Sequence, residues 1–302
     1  MVPPARTQSL IPHNEALNHY LFSGEIKLLQ GLHIGSGRGD ETTDALVIRD
    51  AQGKPIIPGS SLRGVFRSHM ERILMGLYAT QVTPLWACQL YEPVLPEEKV
   101  CVGSSAHPAS LAEIRSLQKL QEGQSGTDAV WKKLPEVLCD ACKLFGAGSF
   151  YASKVRFTDL PMLTGSPNPV VRHGVGIHRD TGTAADGVKY DKEVVEAGAT
   201  FRFEATAENL VDADLELLAL GFSQLVSGEL ALGGSSGRGL GGVELIHGKA
   251  AWVTLKEKSE AVTYLLKKTY PHQQELSAFI DSGLKKLLAP AQEGGANAQA
   301  NP

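Results

Sequence analysis

Two glycine-rich tracts constrain this chain more than any other feature. The first runs Gly31-Leu32-His33-Ile34-Gly35-Ser36-Gly37-Arg38-Gly39-Asp40. After Asp44-Ala45-Leu46-Val47-Ile48-Arg49-Asp50 it continues into Pro58-Gly59-Ser60-Ser61-Leu62-Arg63-Gly64. The second is Leu232-Gly233-Gly234-Ser235-Ser236-Gly237-Arg238-Gly239-Leu240-Gly241-Gly242-Val243. A residue without Cβ lets backbone amides approach a phosphate, and embedded arginines add charge-assisted hydrogen bonds. Two such tracts, both carrying Ser and Arg, point to a surface that follows a phosphate chain rather than one nucleotide. A Walker A loop is excluded because no Gly-Lys-Ser/Thr follows residues 35–39. A dinucleotide fingerprint is excluded because a strand, not a helix, comes next.

The 302 residues suffice for one large domain or slightly more. No apolar run is long enough to span a bilayer, and residues 1–6 lack the apolar core of a signal peptide, so the expected compartment is the cytoplasm. The net charge of −4 is not that of a strongly basic nucleic-acid binder. The distribution matters more: Arg63, Arg67, Arg72, Arg172, Arg179 and Arg238 lie in or beside the glycine-rich and polar segments.

Hydrophobic periodicity gives an α+β order. Residues 1–18 read as an irregular arm and 19–30 as a strand with Phe22, Ile26 and Leu28 on one face. Short strands are expected at 45–49 and 54–57, joined by a turn at 50–53. A helix runs from the Pro58-Gly59-Ser60-Ser61 cap to about residue 78, with a stripe of Leu62, Phe66, Met70, Ile73 and Leu77. Residues 80–145 break the pattern and hold all four cysteines, so they read as an insertion. A strand follows at 155–160, and then a polar protruding loop or hairpin over 170–198. A strand at 199–207 exposes Phe201, Phe203 and Ala205 to one side. A helix at 214–227, capped by Asp212 or Asp214, precedes a closing strand at 243–255, a helix at 272–288 and a small polar tail at 289–302. The alternation suits a ferredoxin-like, RRM-like fold over 19–79 and 146–288, an architecture whose open sheet often carries RNA.

Cys88, Cys101, Cys139 and Cys142 form a candidate four-thiolate zinc site. The Cys139-Asp140-Ala141-Cys142 spacing lets two sulfurs reach one tetrahedral ion, and a metal would order an insertion with little apolar periodicity. His107 could replace one ligand. The alternatives are buried free thiols or a redox pair, since a structural disulfide does not suit the cytoplasm. Arg63 and Arg67, one turn apart near a helix N-terminus, suit phosphate contact, with Ser60 and Ser61 as both cap and phosphate donors. Arg238 and Gly234 in the second tract are the stronger backbone-contact candidates, since packing gives its glycines no evident use. His33 reads as packing near the loop or meeting RNA rather than as a base.

These blocks, together with Cys142-Lys143-Leu144-Phe145-Gly146, Ala152-Ser153-Lys154-Val155-Arg156-Phe157-Thr158-Asp159 and His178-Arg179-Asp180-Thr181-Gly182-Thr183-Ala184, resemble the RAMP superfamily. The likeness is to the backbone subunits of type III CRISPR effector complexes. It implies a palm that stacks along a CRISPR RNA, a thumb within 172–198 wedged between guide and target, and neighbouring RAMP subunits with a large effector subunit. It also implies cleavage of a complementary target RNA, needing a divalent cation such as magnesium and an aspartate of the first loop. That aspartate is Asp44, with Asp40 next in line. Asp44 is alternatively a loop carboxylate satisfying nearby amides, in which case the subunit is a scaffold that binds RNA without cutting it. A guide-maturation endonuclease shares the terminal glycine loop but fits the residue 44–64 block poorly.

Overall fold

A computed structural model describes residues 15–39, 43–88, 138–147 and 151–289. Asp40, Cys101 and His107, with most of the 80–145 insertion and the terminal tail, lie outside the described residues.

The chain is a mixed α/β structure around a curled antiparallel sheet. Strand β1 (Asn18–Leu28) alternates, so Phe22, Ile26 and Leu28 point into the core and are essentially inaccessible to water. It pairs with β7 (Thr200–Glu208) on one side and β9 (Gly242–Thr254) on the other. Beyond β7 lie β3 (Val155–Phe157) and β4 (Leu160–Thr164), and β4 carries β2 (Ile56–Ile57). Beyond β9 comes β10 (His272–Glu275), and the short β8 (Leu230–Ala231) also pairs with β9. The order along the main path is β10-β9-β1-β7-β4-β2.

Helices α1 (Gly59–Ala79), α3 (Asp212–Val226) and α5 (Leu276–Leu287) complete the core. On α1, Leu62, Phe66, Met70 and Leu74 are buried, while Ile73 and Leu77 are only partly so. Phe66 stacks at a tilt on Phe222 of α3, and Phe22 approaches Phe222 at 4.7 Å between ring centres. Gly221 permits the α1–α3 approach: a Cβ there would lie 2.3 Å from the Phe66 ring.

Several details differ from the sequence expectation. Residues 45–49 make only isolated bridges, because their partners are distributed over three other segments. Neither Ser60 nor Ser61 caps α1; Pro58 occupies that position, and the Gly59 amide donates to Asp159 Oδ1 at 2.8 Å. The expected 272–288 helix divides, since His272–Glu275 joins the sheet edge before α5 begins. A further helix, α4 (Lys258–Lys267), buries no residue and has no strong sequence signal. The 170–198 region, by contrast, is the hairpin expected there, of β5 (Val170–Ile177) and β6 (Ala184–Val194), separate from the main sheet.

Asp214 does take part in the α3 start, its Oδ2 accepting from the Val211 amide at 2.9 Å. The same oxygen receives Lys154 Nζ at 2.5 Å, with both side chains buried. Burial pushes the Asp214 carboxyl above its ordinary range, and Lys154 pulls it back. Removing the cation in Lys154→Met leaves a buried unpaired charge, costing about 3–5 kcal/mol. Without the lysine the folded pKa rises further above the unfolded value. The folded state then binds the proton more readily, so the variant loses stability as pH rises from 4 to 8. Urea melts across that window should show this slope in Lys154→Met, and its loss when Asp214→Leu is added.

Candidate functional site

Residues 31–34 emerge from β1 and are hydrogen-bonded on both flanks. Leu32 exchanges both backbone bonds with Val195, each 2.8 Å. On the other flank Gly31 O accepts from Gly241 N at 2.8 Å, and His33 O from Gly234 N at 2.9 Å. The two glycine tracts, 200 residues apart in the chain, are therefore adjacent. The second tract's glycines have a structural use that its composition does not reveal. Gly233 (φ 74°) lies so close to the His33 carbonyl that a Cβ would sit 2.2 Å away, and Gly241 (φ 92°) meets the Leu232 carbonyl likewise at 2.3 Å. The Gly234 amide, expected to face phosphate, is spent on this closure.

The Asp44 segment meets the base of the hairpin. Ala45 pairs in parallel with Lys192, Ala45 N donating to Asp191 O and Glu193 N to Ala45 O. Asp44 is exposed, and its Oδ2 accepts from the Asp191 amide at 2.8 Å. Among the described residues its other oxygen has no partner. Glu193 clamps the segment further on: Oε2 accepts from Val47 N and Oε1 from Arg49, both at 2.9 Å. The Glu193 carbonyl meets His33 Nδ1 at 2.7 Å, fixing that ring beside Gly35 as a packed, oriented group.

The two faces of the hairpin have different chemistry. One carries Val171, His173 and Val175 opposite Glu193, Asp191 and Lys189, with His173 Nδ1 to Asp191 Oδ1 at 2.6 Å. The other turns toward the second glycine tract. Tyr190 lies over Gly174, where a Cβ would sit 2.2 Å from its ring, and its hydroxyl accepts from Arg238 at 2.9 Å. Lys192 Nζ stands 5.1 Å from the Tyr190 ring centre and donates to Ser235 Oγ at 2.8 Å. Lys192 and Arg238 thus place two cations side by side on a loop whose Ser235 adopts left-handed backbone (φ 65°). Arg179 is exposed in the turn at the hairpin tip. Val170, Val171, Val175, Ile177 and Val188 are also exposed along this hairpin, an apolar surface unusual for an unpartnered element.

Arg63 and Arg67 lie elsewhere. Arg63 donates to the Phe145 carbonyl, and Arg67 donates to Gly146 O (3.0 Å), Glu71 (2.7 Å) and Cys142 Sγ (3.3 Å). Both guanidiniums close the C-terminal end of the short helix α2 (Asp140–Phe145), a use no helical spacing reveals. Burial opposes the Arg67 charge, but Glu71, Cys142 and Cys139 outweigh it and hold the pKa above its usual value. The outer face of the sheet carries Glu25, Lys27, Arg202 and Glu204 along β1 and β7, with His19 packed on Tyr264 and Tyr270 at one end.

Cys88, Cys139 and Cys142 converge, all buried, their sulfurs within 4.8 Å of one another. Cys142 N donates to Cys139 Sγ at 3.3 Å, and Cys88 and Cys142 sulfurs are 3.6 Å apart. Three thiols so placed without a disulfide could hold a metal ion. A fourth donor, Cys101 or His107 in the sequence reading, lies outside the described residues.

Among the described residues no helix is long and apolar enough to cross a membrane. The chain is similar to the CRISPR system Cms endoribonuclease Csm3 of Methanocaldococcus jannaschii, 47% identical over 57 residues, 17% of this chain and 22% of that protein. The match thus spans about a fifth of that relative. The RAMP superfamily profile matches residues 25–244, a stretch that takes in the end of β1, the Asp44 segment, the hairpin and the second glycine tract. The chain belongs to the RAMP superfamily.

Proposed function

We propose that this chain is a guide-RNA-binding backbone subunit of a type III CRISPR complex that also cuts complementary target RNA at Asp44. The observation that carries this reading is the junction at residues 31–34, which holds the Asp44 segment, the hairpin base and the Arg238 loop against one another. The strand order β9-β1-β7-β4, with α1 and α3 in the connections, supports a ferredoxin-like palm. Lys192 and Arg238 supply the charge for a guide phosphate, Arg179 and the exposed valines of the hairpin supply the thumb, and base pairing supplies sequence specificity. Arg63 and Arg67 are left out of the contact set because their donors close α2. The RNA path follows the junction rather than the charged outer face of the sheet. Neighbouring RAMP subunits and a large effector subunit are the expected protein partners.

Cleavage in this reading is attack by the target's own 2′-hydroxyl on the adjacent phosphate, with Asp44 as the carboxylate that accepts the proton. An exposed carboxylate with an unengaged oxygen fits a divalent cation such as magnesium, which when bound would neutralise charge on the phosphate. Zinc would be held by Cys88, Cys139 and Cys142 and would fasten the insertion to α1. One observation favours a scaffold without cleavage: Asp44 Oδ2 already serves the Asp191 amide, the ordinary use of a loop aspartate.

In a guide-loaded complex with magnesium, Asp44→Ala is expected to abolish regularly spaced cuts in a complementary RNA, slowing them by about 10²–10⁴-fold, with target binding retained. Binding without cuts in either protein establishes the scaffold. Lys192→Ala and Arg238→Ala are each expected to weaken guide RNA uniformly across sequences and to lower the salt slope by about one. Titrations at several salt concentrations read this directly. Elemental analysis is expected to find about one zinc per chain, lost in Cys142→Ser together with thermal stability.

A further inference from the structure

One exposed pair of side chains lies at the residue that binds Asp44. His173 projects from β5 with its side chain 77% exposed, and its Nδ1 is 2.6 Å from Asp191 Oδ1 on β6. An exposed pair of this kind contributes little to stability. Its position is the informative part. Asp191 donates its backbone amide to Asp44 Oδ2 and offers its carboxylate to His173, so one residue and two hydrogen bonds join the imidazole to the Asp44 carboxylate. Asp191 thereby fixes the ring and its tautomer, and Nε2 is directed away from the carboxylate toward solvent. The charged neighbours on this face are Lys189 and Glu193, diagonal to His173 across the strands. Glu193 is committed to Arg49 and Val47.

Transesterification needs two proton transfers, one from the attacking 2′-hydroxyl and one to the departing 5′-oxygen. A carboxylate can only accept; an imidazolium oriented through Nδ1 can donate through Nε2. We propose that His173, oriented by Asp191, is the general acid of target-RNA cleavage, an inference that rests on the Asp44 reading. The 2′-oxygen forms its bond to phosphorus while its proton passes to Asp44. The bond from phosphorus to the 5′-oxygen breaks, and the His173 Nε2 proton passes to that oxygen. The products are a 2′,3′-cyclic phosphate and a 5′-hydroxyl end, and exchange of one proton with water restores both groups.

The test uses the guide-loaded complex with two matched target RNAs. One is all-oxygen, and the other carries sulfur in place of the 5′-bridging oxygen at a cleavage position. Sulfur departs without protonation, so a missing general acid does not slow it. His173→Gln is expected to cut the all-oxygen target about 100-fold more slowly at unchanged target binding, and the sulfur target at the wild-type rate. Asp191→Asn should show a smaller loss of the same kind, again on the all-oxygen target and not on the sulfur one. Wild-type cleavage of the all-oxygen target by His173→Gln overturns the role of His173 and leaves Asp44 standing. Equal loss on both targets makes His173 a positioning group and also overturns the proposal. Absence of cuts in wild type on both targets defeats the Asp44 reading itself, and this proposal with it.

Discussion

The backbone of residues 31–34 is the constraint on which the rest of the site depends. A strand leaving a sheet must satisfy its amides and carbonyls on both flanks or lose about 1–3 kcal/mol for each group buried unpaired. Here one flank is closed by Val195 at the root of the hairpin and the other by Gly234 and Gly241 of the second tract. Ile34 O adds the Ile48 amide, so the segment that follows Asp44 is tied to the same residues. The glycines are required by these approaches: a side chain at Gly233 or Gly241 would collide with a carbonyl. The site is thus a by-product of backbone pairing at the end of β1. The groups that would do chemistry are mounted on it.

A second set of polar contacts performs the same service for the cysteine insertion. Arg63 and Arg67 reach from α1 to the carbonyls that end α2, and Arg67 also touches Cys142. Guanidinium geometry suits this use, since its several donors can serve carbonyl, carboxylate and sulfur at once. Cys88, Cys139 and Cys142 are in this way set against the main core, with Leu144 and Phe145 part of the same buried cluster. Lys154 and Asp214 make a parallel link between the following loop and α3.

Much of the architecture was legible because amphipathic period and burial agree. The alternation of Phe22, Ile26 and Leu28, and of Phe201, Phe203 and Ala205, marked two central strands, and the Leu62–Phe66–Met70 spacing marked α1. The convergence of Cys139 and Cys142 followed from their local spacing. The split at Glu275 and the exposed helix α4 did not show, because edge pairing to β9 overrides helical propensity in the first case, and in the second no buried stripe exists to announce a helix. The contacts of Lys192, Asp191 and His173 were also hidden. They arise from pairing across a hairpin and against two loops distant in the chain, at Asp44 and Ser235, and no local pattern encodes that register.

By itself the sequence determined the central strands at 22–28 and 201–205, the helix carrying Leu62, Phe66 and Met70, where glycine is concentrated, and that a thiol pair could share an ion. Those properties follow from local periodicity and side-chain chemistry. The tertiary structure decided what each arginine touches inside the fold. It gave Arg63 and Arg67 the carbonyls of Phe145 and Gly146, and brought Arg238 to Tyr190 and Lys192 to Ser235. It also decided that Asp44 faces Asp191 and, through it, His173. Hydrogen-bond partners are assigned by proximity in space, and proximity between residues 44, 173 and 238 exists only once β1, the hairpin and the second glycine tract have closed on residues 31–34.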